Sequence, residues 1–130
     1  MYIDANFFVI ARGESGKKGD CARQIARQIV AGKKAITSSL ALDEVMWVYV
    51  KNKLQHELRT FIEEIYSIRN LEIKEVSPLI PLRALEFMEQ CNLKPRDAFH
   101  VAIMEQFGVQ EILTDDVDFD RVEGITRIPL

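Results

Sequence analysis

Short apolar segments with the character of β-strands alternate with helical segments along the whole chain. Five strands are predicted, and they cover Met1–Ile3, Ala35–Thr37, Leu71–Val76, Glu111–Thr114 and Ile125–Ile128. Two helical segments separate each of the first three strands from the next, and one short turn or helical piece, Val117–Arg121, separates the fourth from the fifth. Parallel strands need such helical crossovers, and the helices then cover both faces of the sheet. The sequence therefore predicts an α/β fold with three α/β/α layers around a central parallel sheet of about five strands.

The helical segments differ in how regularly their apolar positions repeat. The predicted helices are Ala5–Ala11, Cys21–Ala31 with Asp20 as its cap, Leu40–Lys51 after a Ser38 or Ser39 cap, Leu54–Arg69, Leu79–Gln90 opened by Ser77-Pro78, and Arg96–Phe107. The segment Arg12–Gly19 contains three glycines and is predicted to be a loop. The segment Leu40–Lys51 is apolar nearly all round, which predicts a buried helix with Trp47 in the core.

The composition favours one globular domain and argues against several function classes. The 130 residues suffice for a substantial core and show no internal boundary, so we expect a single domain over residues 1–130. The net charge of −3 argues against a protein that coats nucleic acid, but not against an enzyme that holds a polyanion through a metal. No apolar run approaches the roughly 18–20 residues of a membrane span, and no signal peptide is visible. Cys21 and Cys91 match no metal-binding spacing, so we expect reduced thiols in a cytoplasmic protein.

Four aspartates lie within six residues directly after the fourth predicted strand: Asp115, Asp116, Asp118 and Asp120. Like charges this close repel one another and are most easily kept where a cation neutralises them. Asp4 ends the first predicted strand, and ligands of parallel sheets bind beyond the carboxyl ends of strands, where the strand order reverses. If the first and fourth strands are neighbours, these acids meet at one edge of the sheet. The pattern predicts a Mg²⁺ or Mn²⁺ site there.

Two further acids stand in predicted helices. Glu44 interrupts the apolar helix, where a carboxylate must be solvated at one end, paired or metal-bound. Asp97 lies near the start of a later helix, where the helix dipole favours an acid without any function. Asp4 can equally cap the helix that follows it, and Glu44 can be a partly exposed residue. Each acid alone is ambiguous, and their joint appearance favours a functional site.

Four short motifs follow one another along the chain: Asp4-x-Asn6 after the first strand, Glu44 within an apolar helix, Asp97-Ala98 at the start of a later helix, and Thr114-x-Asp116-x-Asp118-Phe119 after a strand. Their order and separations, over nearly the whole chain, resemble the PIN-domain nucleases, which include the VapC toxins of toxin–antitoxin pairs. The resemblance implies a PIN-like parallel sheet with its first strand at the centre and an acidic pocket at the strand ends. It also implies a Mg²⁺- or Mn²⁺-dependent ribonuclease, with the toxin of a toxin–antitoxin pair as a candidate role.

The functional positions of that family fall on particular residues of this sequence. Its catalytic acids fall on Asp4, Glu44, Asp97 and Asp116, its metal ligands on Asp4, Asp97, Asp116 and Asp118, and its supporting polar residues on Asn6 and Thr114. We expect Glu44 to orient a metal-bound water, and Asn6 and Thr114 to fix carboxylate orientation by hydrogen bonds. Such acids hold one cation, or two roughly 3.5–4 Å apart that clamp the attacking and leaving oxygens of the phosphodiester. The sequence leaves the number of ions open.

Other residues and surfaces suggest contacts with partner molecules. Arg96, next to Asp97, is the best candidate among the basic residues for contacting RNA phosphates. His100 lies one turn after Asp97, and because metal-dependent hydrolysis needs no histidine we predict a packing or hydrogen-bonding role for it. The resemblance also implies a homodimer and an antitoxin whose C-terminal segment fills the acidic pocket. Apolar helix surfaces around Trp47–Val50 and Leu58–Ile65 are the candidate dimer contacts, and the sequence does not rank them.

Two other functions stay open at this point. A PIN-like scaffold would bind RNA or a protein without cutting, and a cleavage assay distinguishes it from an enzyme. A metal-dependent phosphohydrolase or phosphoacceptor domain also carries an acid after its first strand. The haloacid-dehalogenase pattern, however, needs a second aspartate where this chain has Asn6, and the acids and lysine of receiver domains are absent. The ribonuclease therefore remains the leading prediction.

Overall fold

The computed structural model describes residues 1–130 and contains five strands, six α-helices and one 3₁₀-helix. The strands are β1 (Tyr2–Ile3), β2 (Ala35–Ser38), β3 (Leu71–Lys74), β4 (Glu111–Leu113) and β5 (Thr126–Ile128). The α-helices are α1 (Ala5–Gly13), α2 (Lys17–Val30), α3 (Ser39–Lys51), α4 (Gln55–Tyr66), α5 (Ile80–Cys91) and α6 (Pro95–Gln106), and the 3₁₀-helix spans Val117–Arg121. The order of elements is the one predicted from the sequence. None of the helices combines the length and apolar character that crossing a membrane requires.

All five strands form one parallel sheet in the order β3-β2-β1-β4-β5. In register, Tyr2 of β1 lies opposite Ile36 of β2 and Ile112 of β4. The chain adds β2 and β3 on one side of β1 and then β4 and β5 on the other, so the strand order reverses between β1 and β4. The predicted parallel sheet with a central first strand is confirmed. In such sheets ligands bind beyond the carboxyl ends of the strands at the reversal point, which here means β1 and β4.

Helices cover both faces of the sheet, because successive side chains of a strand point to opposite faces. In β1, Tyr2 joins one core cluster and Ile3 the other, and Ile112 and Leu113 of β4 divide in the same way. Helices α1 to α4 bury their apolar residues in the cluster that contains Ile3. Helices α5 and α6 bury theirs in the cluster that contains Tyr2. The predicted three-layer α/β/α architecture is confirmed.

The segment predicted to be a loop, Arg12–Gly19, is mostly helical. Helices α1 and α2 extend into it from both sides and leave only residues 14–16 between them. One of its glycines serves close packing rather than a flexible loop, since a Cβ on Gly19 would lie 1.9 Å from the carbonyl oxygen of Glu14. Because α2 starts earlier than predicted, Asp20 lies in its first turn and does not cap it.

Helix α3 is not buried all round, contrary to the prediction. Leu42, Val45 and Tyr49 form its inward side, whereas Met46 and Trp47 are exposed. Trp47 is 57% exposed, so its predicted place in the core is wrong. When apolar residues occupy every side of a helix, the sequence carries no periodic signal that marks the inward side.

The predicted start of the fifth helix at Ser77-Pro78 is also wrong. Helix α5 begins at Ile80, and Pro81 occupies its first turn. The hydroxyl of Ser77 accepts a hydrogen bond from the amide of Leu79, which stabilises a turn ahead of the helix. The same serine that suits a helix cap also suits such a turn, and the sequence does not distinguish the two.

Candidate functional site

Asp4 lies directly after β1 and is 6% exposed. Its Oδ1 accepts a hydrogen bond from the amide of Ala5 at 2.7 Å, which caps helix α1. Its Oδ2 accepts hydrogen bonds from the hydroxyl of Thr114 at 2.7 Å and from the side-chain amide of Asn6 at 3.4 Å. Burial raises the pKa of Asp4, although the charge of His100 and the bond from Thr114 act in the opposite direction. The same carboxylate is therefore a helix cap and a member of an acidic site.

Thr114 links the carboxyl ends of β1 and β4. While its buried hydroxyl donates to Asp4, the same oxygen accepts a hydrogen bond from the amide of Asp116 at 3.2 Å. The carboxylate of Asp116 in turn accepts the amide of Asp118 at 2.9 Å, and this bond caps the 3₁₀-helix. These bonds fix Asp4 and Asp116 relative to each other at one edge of the sheet.

Three carboxylates meet beside the start of α6. Asp97 lies in the first turn of α6, Asp116 and Asp118 flank the start of the 3₁₀-helix, and one oxygen of each lies within 4.8 Å of the others. Burial raises the pKa of Asp97, and the negative charge of Asp116 raises it further. Burial and a neighbouring negative charge both disfavour the ionised form of a carboxyl group.

Two basic residues border these acids, and a third, Arg96, precedes Asp97 in α6. Lys94 Nζ lies 3.2 Å from Asp118 Oδ2, and a guanidinium nitrogen of Arg121 lies 3.0 Å from Asp118 Oδ1. The side chain of Asp118 is only 14% exposed, and the side chains of Lys94 and Arg121 lie between its carboxylate and solvent. Arg96, the residue predicted to contact RNA, is exposed in the first turn of α6 and lies 3.9 Å from Asp43. Positive charge is thus present at the rim of the site, where a polyanion would approach.

A second group consists of Asp4, Glu44 and His100, with one potential ligand atom of each within 4.8 Å of the others. His100 Nε2 lies 2.6 Å from Glu44 Oε1 and 3.8 Å from Asp4 Oδ1. Burial lowers the pKa of His100, but the hydrogen bond to Glu44 and the charges of both acids outweigh burial and leave the pKa raised. The predicted hydrogen-bonding role of His100 is confirmed. Its pairing with Glu44 was not predicted, and only its position one turn after Asp97 pointed to this place.

The acids predicted from the sequence come together as two adjoining groups rather than one. The groups are joined through α6, on which Asp97 and His100 lie one helical turn apart. Carboxylate oxygens dominate both groups, and neither contains a cysteine. Hard divalent cations prefer oxygen ligands, and a cation would neutralise the closely spaced negative charges of Asp97 and Asp116. The residues therefore fit a hard divalent cation such as Mg²⁺ or Mn²⁺.

Two aspartates near the site serve the fold instead. Asp115 forms an ion pair with Lys18, and its Oδ1 accepts the amide of Leu130 at 2.9 Å. Asp120 accepts two hydrogen bonds from the guanidinium of Arg127, at 2.9 and 3.0 Å. The dense acidic sequence after β4 thus divides into acids that face the site and acids that hold neighbouring chain segments.

Solved structures share this fold. A VapBC2 complex from Rickettsia felis, bound to a DNA fragment from its promoter, contains a chain with a TM-score of 0.77 and 17% identity, covering 98% of this chain and 96% of that one. VapC20 of Mycobacterium tuberculosis, described as a sarcin-ricin loop cleaving toxin, has a TM-score of 0.67 and 19% identity, covering 92% of both chains. At these identities the likeness establishes the fold alone.

Sequence comparisons give relatives and a family. The chain is similar to a VapC ribonuclease of Mycobacterium bovis and to ribonuclease VapC13 of Mycobacterium tuberculosis. Each is 24% identical over 133 residues, which cover 98% of this chain and 98% of the relative. The PIN domain family model matches residues 1–125, nearly the whole chain. The chain belongs to the PIN domain family.

Proposed function

We propose that this chain is a ribonuclease that hydrolyses RNA phosphodiester bonds with Mg²⁺ or Mn²⁺, and that it is the toxin of a toxin–antitoxin pair. The proposal rests on one observation. Five carboxylates lie close together where the carboxyl ends of β1 and β4 meet the start of α6: Asp4, Glu44, Asp97, Asp116 and Asp118. Membership of the PIN domain family supports the nuclease activity. The relatives named as ribonucleases support RNA as its substrate.

The acids divide into distinct roles in this proposal. Asp4, Asp97 and Asp116 would hold the cation, since each carboxylate keeps free lone pairs beyond its hydrogen bonds. The bound cation would neutralise phosphate oxygens and lower the pKa of a bound water. Glu44, beside Asp4, would orient the attacking water and accept its proton. Asp118 would stay outside the set of direct ligands, because Lys94 and Arg121 already neutralise its carboxylate.

Polar neighbours of the acids would orient the site and its substrate. Thr114 and Asn6 both donate to Oδ2 of Asp4, and they would hold its carboxylate in one orientation. Lys94 and Arg96 stand exposed at the start of α6 and would contact RNA phosphates. Contacts of this kind supply affinity without reading the base sequence.

An antitoxin and a second copy of the chain are the proposed protein partners. Two helices expose apolar side chains: Met46, Trp47 and Val50 on α3, and Leu82 and Leu85 on α5, with Leu79 just before it. Rows of exposed apolar residues typically mark protein interfaces. The similar structures include one from Klebsiella pneumoniae described as a toxin–antitoxin complex, which supports an antitoxin as one partner.

A cleavage assay tests the proposed activity directly. We expect the purified chain to cut a mixture of RNAs in the presence of Mg²⁺ or Mn²⁺, to stop when a chelator removes the cation, and to recover when the cation is restored. RNA binding without cleavage under any of these conditions would support the scaffold function instead. Hydrolysis of a phosphate monoester without RNA cleavage would support the phosphohydrolase.

Removing the basic residues at the start of α6 should weaken RNA binding more than catalysis. We expect Lys94→Ala and Arg96→Ala each to raise KM several-fold with little change in kcat. In a plot of the logarithm of the RNA-binding constant against the logarithm of salt concentration, each should make the slope shallower by about one unit. Lys33→Ala is the matched control, because Lys33 is also exposed but precedes β2 at the opposite edge of the sheet. Equal KM values for all three variants and the wild type would show that the RNA follows another path.

A further inference from the structure

A row of buried polar side chains crosses the core beneath the acids. Tyr2 Oη lies 2.7 Å from Ser38 Oγ and 2.7 Å from His100 Nδ1, and His100 Nε2 lies 2.6 Å from Glu44 Oε1. Tyr2 and Ser38 are fully buried, and His100 is 2% exposed. Polar groups in a core are costly unless every one is hydrogen-bonded. The members of this row are hydrogen-bonded to one another, and the row ends on one carboxylate of the site, that of Glu44.

When the imidazole of His100 carries a single proton, the hydrogen bonds of this row run in one direction. The carboxylate of Glu44 can only accept, so Nε2 of His100 carries the proton between them. Nδ1 of His100 can then accept from the hydroxyl of Tyr2, and burial raises the pKa of Tyr2 far enough to keep that hydroxyl protonated. Tyr2 accepts in turn from Ser38, whose oxygen accepts the amide of Ala41 at the start of α3. Each of the four side chains in the row thus has a hydrogen-bond partner.

Aromatic packing holds the imidazole in place. The ring of His100 lies between Tyr2, at 5.5 Å between ring centroids, and Phe119, at 6.5 Å. Glu44 has no comparable constraint of its own, since its side chain is 19% exposed at the edge of α3. No other side chain of the protein hydrogen-bonds the carboxylate of Glu44. The position of that carboxylate next to Asp4 therefore depends on His100.

We propose that His100 is a positioning residue of the nuclease site, which holds the carboxylate of Glu44 beside Asp4, and that Tyr2 and Ser38 hold His100. This inference rests on the proposed function, because it assigns Glu44 a task that only a nuclease site requires. In this proposal the folded chain orients the carboxylate of Glu44 before any cation or RNA binds. It also links the catalytic edge to the start of α3, since Ser38 both caps that helix and begins the row.

Two substitutions at His100 separate positioning from packing. His100→Leu keeps an apolar side chain in the core but removes the donor to Glu44, whereas His100→Gln keeps an N–H at a similar distance from the backbone. We expect His100→Leu to lower kcat about 10–100-fold with KM nearly unchanged, and His100→Gln to recover most of the loss. Tyr2→Phe removes one hydroxyl from a filled site, and we expect it to lower kcat several-fold. Val101→Ala, a buried substitution on the same helix, should lower stability and leave kcat unchanged.

Two further readouts do not depend on RNA cleavage. We expect calorimetric titration with Mn²⁺ to show binding to His100→Leu within a few-fold of the wild type, because the proposed ligands Asp4, Asp97 and Asp116 are unchanged. A loss of Mn²⁺ binding in folded His100→Leu would contradict an effect exerted through Glu44. We also expect NMR of the wild type to show a solvent-protected proton on Nε2 of His100, which Glu44→Ala exposes to exchange.

These results distinguish the inference from the proposed function. If the wild type cleaves RNA and folded His100→Leu matches it in kcat, the positioning role is wrong and the nuclease stands. Should His100→Leu fail to fold, an unchanged kcat in Tyr2→Phe overturns the role of the row. A protected Nε2 proton in a wild type that neither binds Mn²⁺ nor cuts RNA would overturn the proposed function alone. A freely exchanging Nε2 proton overturns the inference in every case.

Discussion

Replacing Asp4 or Asp116 by asparagine is expected to lower kcat for RNA cleavage by at least about 100-fold, beyond the 10–100-fold typical of residues that only support a ligand. Asparagine keeps a side-chain oxygen in both places. It can still accept the amide of Ala5 in one variant and that of Asp118 in the other. Both substitutions remove negative charge from the proposed cation site. Asp4→Asn also places an amide nitrogen where Oδ2 accepts from Thr114 and Asn6, so we expect this variant to lose some stability. Cleavage by each folded variant in Mg²⁺ and Mn²⁺ measures the effect.

Asp115→Asn is the matched control for both variants. Asp115 lies in the same acidic segment, but its carboxylate pairs with Lys18 and the amide of Leu130. We expect this substitution to cost some stability and to leave the rate of cleavage within a few-fold of the wild type. A 100-fold loss in the control, or normal cleavage by the Asp116 variant, would show that the acids have been assigned to the wrong roles.

Metal-free protein is expected to be more stable at about pH 5 than at about pH 8. The pKa values of Asp4 and Asp97 are raised above the ordinary 3.8, and that of His100 is raised above 6.5. A group with a raised folded-state pKa stabilises the fold fully below its ordinary pKa, and this stabilisation is lost as the pH rises through the folded-state value. Asp115 and Asp120 have lowered pKa values. Their contribution to the stability of the fold is therefore complete above pH 3.8, the ordinary pKa, and is lost only at lower pH.

Thermal unfolding with and without Mn²⁺ measures this dependence. Because cation and proton compete for the same carboxylates, Mn²⁺ should raise the unfolding temperature more at the higher pH. A concentration 100 times Kd corresponds to about 2.7 kcal/mol of stabilisation. In Asp4→Asn both the pH dependence and the response to Mn²⁺ should shrink. Metal-free stability that rises with pH over this range, with no response to Mn²⁺, contradicts the proposed site.

The sequence predicted the sheet and the acidic edge because both depend on local patterns. Strands separated by pairs of helices require a parallel sheet, and Asp4 and Asp116 each follow a strand directly. These acids meet only if β1 and β4 are neighbours. The sequence did not decide whether they are, and the strand order of the structure shows that they are. The two explanations for Asp4, a helix cap or a site residue, are compatible, since one carboxylate oxygen caps α1 and the other accepts from Thr114.

Long-range pairings and the directions of helix sides were beyond the sequence. Glu44 and His100 are 56 residues apart, and no spacing rule connects them until the fold places α3 beside α6. The exposure of Trp47 depends on which side of α3 meets the sheet, and a helix that is apolar all round gives no sign of this. The glycines of Arg12–Gly19 led to the prediction of a loop. Glycine is favoured both in flexible loops and where chain segments pack closely, and at Gly19 the reason is close packing.

Anomalous X-ray scattering from crystals of the wild type grown with Mn²⁺ tests the central claim most directly. We predict a manganese peak at the carboxyl ends of β1 and β4, with oxygens of Asp4, Asp97 and Asp116 among its ligands, and its loss in Asp116→Asn crystals. No peak at saturating Mn²⁺, or a peak held by other residues with this edge empty, would contradict the claim that the fold gathers these acids to hold a cation.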